Sequence, residues 1–180
     1  MLTKSPSLLF ITFFSLCTIS LAQDEKGFDE NKARRFQFML EERPEAGPIF
    51  DKLYAMYKKA GRLSGLIKLY STKIGKKDAE PAPYFILGRL HERERELRTA
   101  ARIYSKGLIK AKDLKFERFF HYRLGIVLAD LQRTKEAAKE LQLAQKLAKG
   151  PELKVSVLEE LGRVYALSGQ RELAARAWRE

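Results

Sequence analysis

The sequence predicts an all-α protein, a solenoid of about four stacked antiparallel helix pairs preceded by one leading helix. Three observations support this prediction. A short pattern centred on a Leu-Gly pair recurs at a fixed step, apolar residues follow the i, i+3, i+4, i+7 spacing of helices, and no stretch alternates apolar and polar residues as a half-buried strand does. Because a single helical hairpin cannot bury its apolar face, such a chain becomes stable only when about three or more units stack.

The repeat frame is clearest around Leu87-Gly88, where Tyr84 lies three residues before the pair. The pair returns after 37 residues as Leu124-Gly125 and after another 37 as Leu161-Gly162, and the position 34 residues earlier is Leu53-Tyr54. In the second half of each copy, a position that is alanine in three of the four copies is followed four residues later by a large residue. These pairs are Leu66 and Tyr70, Ala100 and Tyr104, Ala137 and Leu141, and Ala174 and Trp178. Four copies in one frame indicate a helical repeat array.

This pattern resembles the tetratricopeptide repeat (TPR), in which a large residue, Leu-Gly and Tyr on a first helix are followed by Ala, an aromatic residue, Ala and Pro on a second. The resemblance covers residues 47–180, with repeats near 47–80, 81–117, 118–154 and 155–180, the last one incomplete. It implies a right-handed α-solenoid. Leu66 departs from the small residue of the pattern, so we expect the helices of the first pair to lie slightly further apart.

Each helix has its own signals in the sequence. The leading helix falls within residues 28–44, in an N-terminal segment of residues 23–46. Gly61 and Gly169 mark the turns inside two pairs, and Pro81 and Pro151 lie at or just before the first turn of a helix, where the missing N–H is tolerated. The spacing predicts eight further helices near residues 48–60, 63–75, 82–94, 97–111, 114–131, 134–148, 151–167 and 171–180.

The N-terminus has the composition of a secretory signal peptide. Lys4 precedes an apolar run over residues 8–22, and the small residues Ser20 and Ala22 come just before Gln23. We therefore expect cleavage after Ala22 and an exported bacterial protein, periplasmic or secreted. The run has 15 residues, fewer than the ~20 that a membrane-spanning helix needs, so a retained anchor at residues 8–22 is the minor alternative.

Cleavage would leave 158 residues without cysteine, because Cys17 lies in the apolar run. The stability of the exported chain must then come from packing rather than from disulfides. These residues carry 34 Lys and Arg against 23 Asp and Glu, a net charge of +11. Such a charge favours anionic partners or surfaces and says nothing about the fold.

The stretch His91-Glu92-Arg93-Glu94-Arg95-Glu96 collects a histidine and three carboxylates, as a metal or catalytic site does. In the repeat frame, however, His91 holds a packing position and the residues after it form a helix end and a turn. A zinc helix of the His-Glu-x-x-His type needs a second imidazole where Arg95 stands, and His121 also holds a packing position. We therefore predict no catalytic residue, no metal site, no cofactor and no enzymatic activity.

The resemblance also implies a binding surface. In the family, the first helices of successive repeats line a concave groove that takes a peptide or a partner segment. Some members hold a peptide carboxylate with a Lys-Asn clamp, which is not implied here because Asp51 and Ala55 stand at its positions. Aromatic and Arg side chains carry much of the binding energy at interfaces, so the predicted groove residues are Phe85, Arg89, Phe119, Tyr122, Arg123, Ile126 and Arg163. For Phe119 and Tyr122, packing within the fold is the alternative.

A second candidate surface is basic. Arg98, Arg102, Lys106 and Lys110 are spaced by four along one predicted helix and form what we call the basic stripe. Two interpretations stay open: a solvated face that keeps the protein soluble, or a binding site for a polyanion such as an anionic glycan, lipid headgroups or nucleic acid. Nucleic acid is disfavoured because an export signal places the chain away from it.

The repeat frame places Glu180 inside the last predicted helix, with no polar capping helix after it. We expect more chain, a partner or a second copy to cover this end, and in the last case the chain would self-associate through the last helix. The leading functional hypothesis is a non-catalytic scaffold of the cell envelope or secreted space that binds a protein or peptide in its groove.

Overall fold

The computed structural model describes residues 28–111 and 114–180, without the side chains at positions 114 and 115. Within these residues the chain forms helices and no strand, which confirms the predicted all-α class. Each end of the eight repeat helices lies within three residues of its predicted position. The helices are α1 (Glu30–Glu42), α2 (Gly47–Lys59), α3 (Leu63–Ile74), α4 (Pro81–Arg93), α5 (Leu97–Lys110), α6 (Leu114–Asp130), α7 (Thr134–Leu147), α8 (Pro151–Leu167) and α9 (Arg171–Ala177).

The helices after α1 form four hairpins, α2–α3, α4–α5, α6–α7 and α8–α9. The second helix of each hairpin packs against the first helix of the next one, so that the hairpins stack in chain order. A single cluster of buried apolar residues extends from Ala33 in α1 to Ala177 in α9. This continuous core is the structural reason why no hairpin needs to be stable alone.

A glycine on the first helix of the second, third and fourth hairpins lets the two helices approach closely. A Cβ atom at Gly88 would lie closer than 3.0 Å to the ring of Tyr104 in α5. The same relation joins Gly125 to Leu141 and Gly162 to the ring of Trp178. The repeated Leu-Gly pair of the sequence is therefore explained by one contact, in which a large side chain packs on the bare backbone of the facing helix.

The turn inside each hairpin has the same backbone conformation. Residues 61, 95, 132 and 169, which correspond in the repeat frame, all have positive φ values between 62° and 77°. The next N–H then donates to the carbonyl oxygen five residues earlier, for example from Glu96 to His91 at 2.9 Å. Glycine occupies the first and last of these positions, whereas Arg95 and Gln132 occupy the other two and adopt a conformation that L-residues disfavour.

The first hairpin differs from the others. Tyr54 stands where the other hairpins have glycine, and Leu66 stands where they have alanine. As the larger side chains lead one to expect, α2 and α3 pack less closely than the helices of any other hairpin. The leading helix α1 packs against both α2 and α4, and Glu41 near its end accepts hydrogen bonds from Tyr70 and Lys73 of α3.

No helix formed by residues 28–111 and 114–180 combines the length and the hydropathy that crossing a lipid bilayer requires. The predicted signal peptide, residues 1–22, lies outside the described residues.

Candidate partner-binding groove

One face of the first helices forms the candidate groove. The repeat frame makes residues 119, 122, 126 and 130 of α6 correspond to residues 156, 159, 163 and 167 of α8, and to residues 82, 85, 89 and 93 of α4. On a helix these positions lie within about 80° of one another, so each set forms one stripe. The structure leaves these stripes exposed to different degrees, which divides the predicted binding residues into two groups.

Three of the four positions in the stripe on α4 are buried, and only Arg93 is exposed. Phe85 is only 2% exposed and packs against the rings of Phe119 and Phe120 in α6, at centroid distances of 6.3 and 5.3 Å. It also packs at 5.9 Å against Tyr104 of α5. Phe85 is therefore a packing residue that joins the second and third hairpins, and a ligand in the groove would not reach its ring.

Arg89, one turn further along α4, is also buried and only 6% exposed. Its Nη1 atom donates to the carbonyl oxygen of Pro44 at 3.2 Å, and its guanidinium lies 3.8 Å from the ring centroid of Phe50. Burial, together with the nearby charge of Arg123, lowers the pKa of Arg89 to about 10. The connection between α1 and α2 thus covers the centre of the predicted groove, a long-range contact that the repeat pattern does not predict.

The stripe on α6 is partly open to solvent, because Phe119, Tyr122 and Ile126 are each half-buried. Burial raises the pKa of the Tyr122 phenol, and Ser156 of α8 hydrogen-bonds its hydroxyl group. The carboxylates of Glu159 and Glu160 also raise the pKa of Tyr122. The side chain of Tyr122 therefore reaches from α6 to α8 and has carboxylates beside it.

Arg123 borders this stripe and forms an ion pair with a carboxylate of the protein. Its Nη1 atom donates to Glu92 Oε1 of α4 at 3.1 Å, and the other oxygen of Glu92 accepts from Tyr104 at 2.6 Å. Burial alone lowers the pKa of Arg123, but Glu92 and the neighbouring phenols outweigh it and the net shift is upward. Arg123 is thus part of a link between α4 and α6.

Arg163 on α8 is engaged in the same way. Its Nε atom donates to Glu160 at 2.7 Å, and its Nη1 atom lies 3.6 Å from Asp130 of α6. Residues that sequence analysis missed continue the α8 stripe in both directions, namely Glu152, Val155, Ser156 and Leu167. Projecting the α6 stripe forward by 37 residues would have identified Ser156 and Leu167. We call the surface lined by Phe119, Tyr122 and Ile126 of α6 and by Glu152, Val155, Ser156, Glu159 and Leu167 of α8 the α6–α8 groove.

The structure therefore brings together only part of the predicted groove set. Phe119, Tyr122 and Ile126 line the α6–α8 groove, and Arg163 lies in it with its charge already paired. Phe85 and Arg89 lie beneath the surface, and Arg123 is a structural link. That any of these residues contacts a partner stays a prediction.

The basic stripe on α5 is exposed at all four positions, and none of its residues forms an ion pair with a described carboxylate. It does not stay on one side of the helix, because residues spaced by four drift by about 40° per step. Arg98 and Arg102 line a cleft of about 280 Å³ beside α6 and α7 that also contains Glu136 and Glu140. Lys110 instead donates to the carbonyl oxygen of Lys77, after α3.

The two histidines contact different carboxylates, one in the turn after α4 and one on α7. His91 Nδ1 lies 2.7 Å from Glu96 Oε2, and His121 Nδ1 lies 2.6 Å from Glu140 Oε2. Both imidazoles are mostly buried. In the described part of the chain, no three His, Cys, Asp or Glu side chains gather as metal ligands.

The last helix and the residue that follows it leave apolar surface exposed. Trp178 is 57% exposed although one side of its indole packs on Gly162, and Leu173 is also exposed. The predicted self-association through this helix stays a prediction.

No protein-family model matches the sequence, and no curated protein matches it. Solved structures do resemble it. A crystal structure of MamA is 17% identical, with a TM-score of 0.60, over 82% of each chain. YrrB, described as a TPR protein with an unusual peptide-binding site, is 20% identical, with a TM-score of 0.57, over 81% of this chain and 72% of its own. A chain of the APC/C hetero-tetramer Cut9–Hcn1 is 18% identical, with a TM-score of 0.57, over 82% of this chain and 28% of its own. These likenesses confirm the fold, a TPR-like α-solenoid of helix pairs.

Proposed function

We propose that this chain is a non-catalytic scaffold that binds a segment of a partner protein in the α6–α8 groove. The observation that supports this most directly is the stripe of Phe119, Tyr122 and Ile126, three apolar side chains that remain half-buried on an open surface. Aromatic side chains in partly desolvated positions gain most from being covered by a partner. YrrB, a TPR protein of similar fold, is described as having a peptide-binding site, which supports peptide binding by a chain of this fold.

A scaffold rather than an enzyme is supported by where the most perturbed ionisable groups lie. The pKa values of Tyr70 and Tyr104 are raised by burial and that of Arg89 is lowered by burial. All three side chains are buried in contacts between helices, whereas catalytic groups with shifted pKa values line a cavity that substrate can enter. Their shifts are explained by packing.

We further propose that the protein acts outside the cytoplasm, in the periplasm, at the envelope or after secretion. The support comes from the apolar run of residues 8–22 and the small residues before Gln23. N-terminal sequencing of the protein purified from its native cells should give Gln23 as the first residue. A protein that starts at Met1 and stays in the membrane fraction would instead support an anchor at residues 8–22.

The groove can be tested by selecting binders from a random-peptide display library with the chain as bait. Peptides that enter the groove should lose at least about tenfold in affinity for the variant Tyr122→Ala/Ile126→Ala, since hot-spot truncations cost about 1–2 kcal/mol each. The matched control is Arg98→Ala/Arg102→Ala on α5, which should bind them like the native chain. Selected peptides that bind the groove variant as well as the native chain would contradict the proposal. Circular dichroism verifies that both variants are folded.

The basic stripe supports a second candidate function, the binding of a polyanion such as an anionic glycan or lipid headgroups. The supporting observation is that Arg98, Arg102 and Lys106 are exposed without an ion pair to any described carboxylate. Retention on heparin should then fall steeply between low and moderate salt and should drop further in Arg98→Ala/Arg102→Ala/Lys106→Ala. Equal retention of this variant and the native chain would assign the stripe to solubility alone.

A further inference from the structure

The α6–α8 groove carries the opposite charge character from the chain as a whole. The full sequence has a formal net charge of +12, which by itself suggests an acidic partner. The charges that a ligand in the groove would meet differ from this net charge, because most of the described cations nearby are already paired within the protein. What remains unpaired there decides which partner the groove accepts.

Three of the described cations beside the groove have partners within the protein. Arg123 is paired with Glu92 at 3.1 Å, and Arg163 with Glu160 and Asp130. Arg89 is buried beneath the surface against the carbonyl oxygen of Pro44. An acidic ligand would have to compete with carboxylates that are already in place. The cost of leaving such a carboxylate unpaired exceeds the gain from a new surface pair.

The carboxylates on the other side of the groove are free. Glu152 and Glu159 lie on the exposed stripe of α8, and neither forms an ion pair with any described cation. Between and beside them the surface is apolar, since Val155 is 54% exposed and Leu167 is 52% exposed. The groove thus presents apolar side chains from both helices, with unpaired negative charge on the α8 side.

One cation near the groove lacks a carboxylate partner among the described residues, namely Arg118 at the start of α6. Its guanidinium lies over the ring of Phe119, 4.8 Å from the centroid, which satisfies part of its charge through the ring. The described residues beside the groove therefore leave two unpaired carboxylates and one cation that is engaged with an aromatic ring. Among these described residues the balance of unpaired charge is negative.

We propose that the occupant of the α6–α8 groove is a basic amphipathic segment, one that presents apolar side chains to Tyr122 and Ile126 and Lys or Arg side chains to Glu152 and Glu159. This rests on the proposed function and names the chemistry of its partner. At physiological salt, the attraction between exposed charges is largely screened beyond about 8 Å. The carboxylates in the groove therefore act on a bound segment more strongly than the distant excess of Lys and Arg does.

Two synthetic helical peptides of about 18 residues test this proposal. Both peptides have Leu at the same positions. All charged residues are Lys in one peptide, the Lys peptide, and Glu in the other, the Glu peptide. Fluorescence anisotropy at about 0.15 M salt should show the Lys peptide binding at least about fivefold more tightly than the Glu peptide. Glu152→Lys/Glu159→Lys should reverse that order. Arg118→Gln should strengthen binding of the Lys peptide about twofold to threefold.

The matched control is Glu42→Lys/Glu172→Lys, which makes the same charge change at exposed positions of α1 and α9 and should leave the order unchanged. If the native chain binds the Glu peptide as well as or better than the Lys peptide, and the groove reversal does not alter the ratio, the charge assignment is overturned while groove binding stands. If neither peptide binds the native chain, the groove proposal and its charge assignment both fail. Val155→Ser/Leu167→Ser separates the apolar contribution, and should weaken both peptides alike.

Discussion

The first and second hairpins solve the same packing problem by different means. In α4–α5, Gly88 lets the ring of Tyr104 pack directly on the backbone of α4. In α2–α3 the corresponding residues are Tyr54 and Tyr70, two large side chains, and the helices pack less closely. The comparison teaches that one repeat sequence supports two kinds of hairpin, one closed by direct backbone approach and one held by side chains from neighbouring helices.

Polar contacts supply what the first hairpin lacks in close packing. The Tyr54 hydroxyl donates to Glu94 at the end of α4, and Lys58 Nζ donates to the same carboxylate oxygen at 2.8 Å. Glu41 of α1 holds Tyr70 and Lys73 on the other helix of the hairpin. The first hairpin therefore depends on α1 and α4, while the second depends on its own glycine.

The largest expected effect comes from breaking the close approach in the second hairpin. In Gly88→Ala the added methyl would lie closer than 3.0 Å to Tyr104, which is completely buried and cannot move aside. Overpacking of this kind should lower the free energy of unfolding by about 3 kcal/mol. Urea denaturation followed by circular dichroism measures the change.

The matched control lies in the first hairpin. Gly65→Ala adds the same methyl to helix α3, where no atom lies within 4 Å. Because alanine favours helix more than glycine, this variant should gain about 0.5 kcal/mol. Equal effects of the two substitutions would contradict the distinction between the hairpins.

The next effect concerns the two buried phenols. Tyr104 donates to Glu92 at 2.6 Å, whereas Tyr70 lies 3.3 Å from Glu41. Since hydrogen bonds to charged groups are worth about 1.5–3 kcal/mol, Tyr104→Phe should cost about 2 kcal/mol at neutral pH, and Tyr70→Phe less. Urea denaturation of both variants measures the difference, and a larger loss for Tyr70→Phe would contradict it.

The same phenols predict the alkaline behaviour of the protein. Burial raises the pKa of Tyr104 well above the ordinary value of 10.0 and also raises that of Tyr70. Above pH 10 the unfolded chain releases these protons while the folded chain keeps them, so the folded state binds more protons and stability falls as pH rises. Between pH 9 and 11, urea denaturation should show stability falling more steeply for the native chain than for Tyr104→Phe. Parallel curves would be inconsistent with a buried, protonated phenol.

A smaller effect probes the polar link of the first hairpin. Tyr54→Phe keeps the ring but removes the hydroxyl group that donates to Glu94. The loss should be about 1 kcal/mol, measured by thermal denaturation, because a partly exposed network replaces some of its bonds with water. The control is Tyr165→Phe, which removes an exposed hydroxyl group bonded to Gln142 and should cost less. A neutral Tyr54→Phe would show that this hydroxyl group does not help to hold α2 to α4.

The smallest effects come from the hairpin turns and have opposite signs. Gly61→Ala meets no atom within 4 Å, so its cost of about 1 kcal/mol reflects only the positive φ. Arg95→Gly relieves the same strain in the second hairpin and should gain about 0.5 kcal/mol. The Arg95–Asp130 ion pair that it removes is exposed and worth little. Arg95→Ala, which loses the ion pair but keeps the strain, serves as the control in the same melting experiment.

The repeat frame predicted the helices well because it depends on local spacing and on the Leu-Gly pair. It also located the turns. Only two of them contain a glycine, Gly61 or Gly169, but the spacing places Arg95 and Gln132 at the equivalent positions of the other two. Local pattern and tertiary contact agree in these elements. Because of this agreement, the helices and turns of a helical repeat protein can be predicted from its sequence.

The candidate site was less predictable because burial and charge pairing there arise between repeats and from outside them. Nothing local to Arg89 reveals that the carbonyl oxygen of Pro44 lies against it, as the two are 45 residues apart. Phe85 looks like a groove aromatic by its helical position, yet it packs on Phe119 and Phe120. A sequence shows which cations exist, but not that Arg163 is already neutralised by Asp130 of another helix.

The way Trp178 rests on Gly162 makes the protein its own optical reporter. It is the chain's one tryptophan, so its emission describes the α8–α9 hairpin and no other part of the molecule. Circular dichroism, in contrast, averages over every helix. Comparing the midpoints of the two signals during unfolding would reveal whether the array opens from that end or melts as a unit.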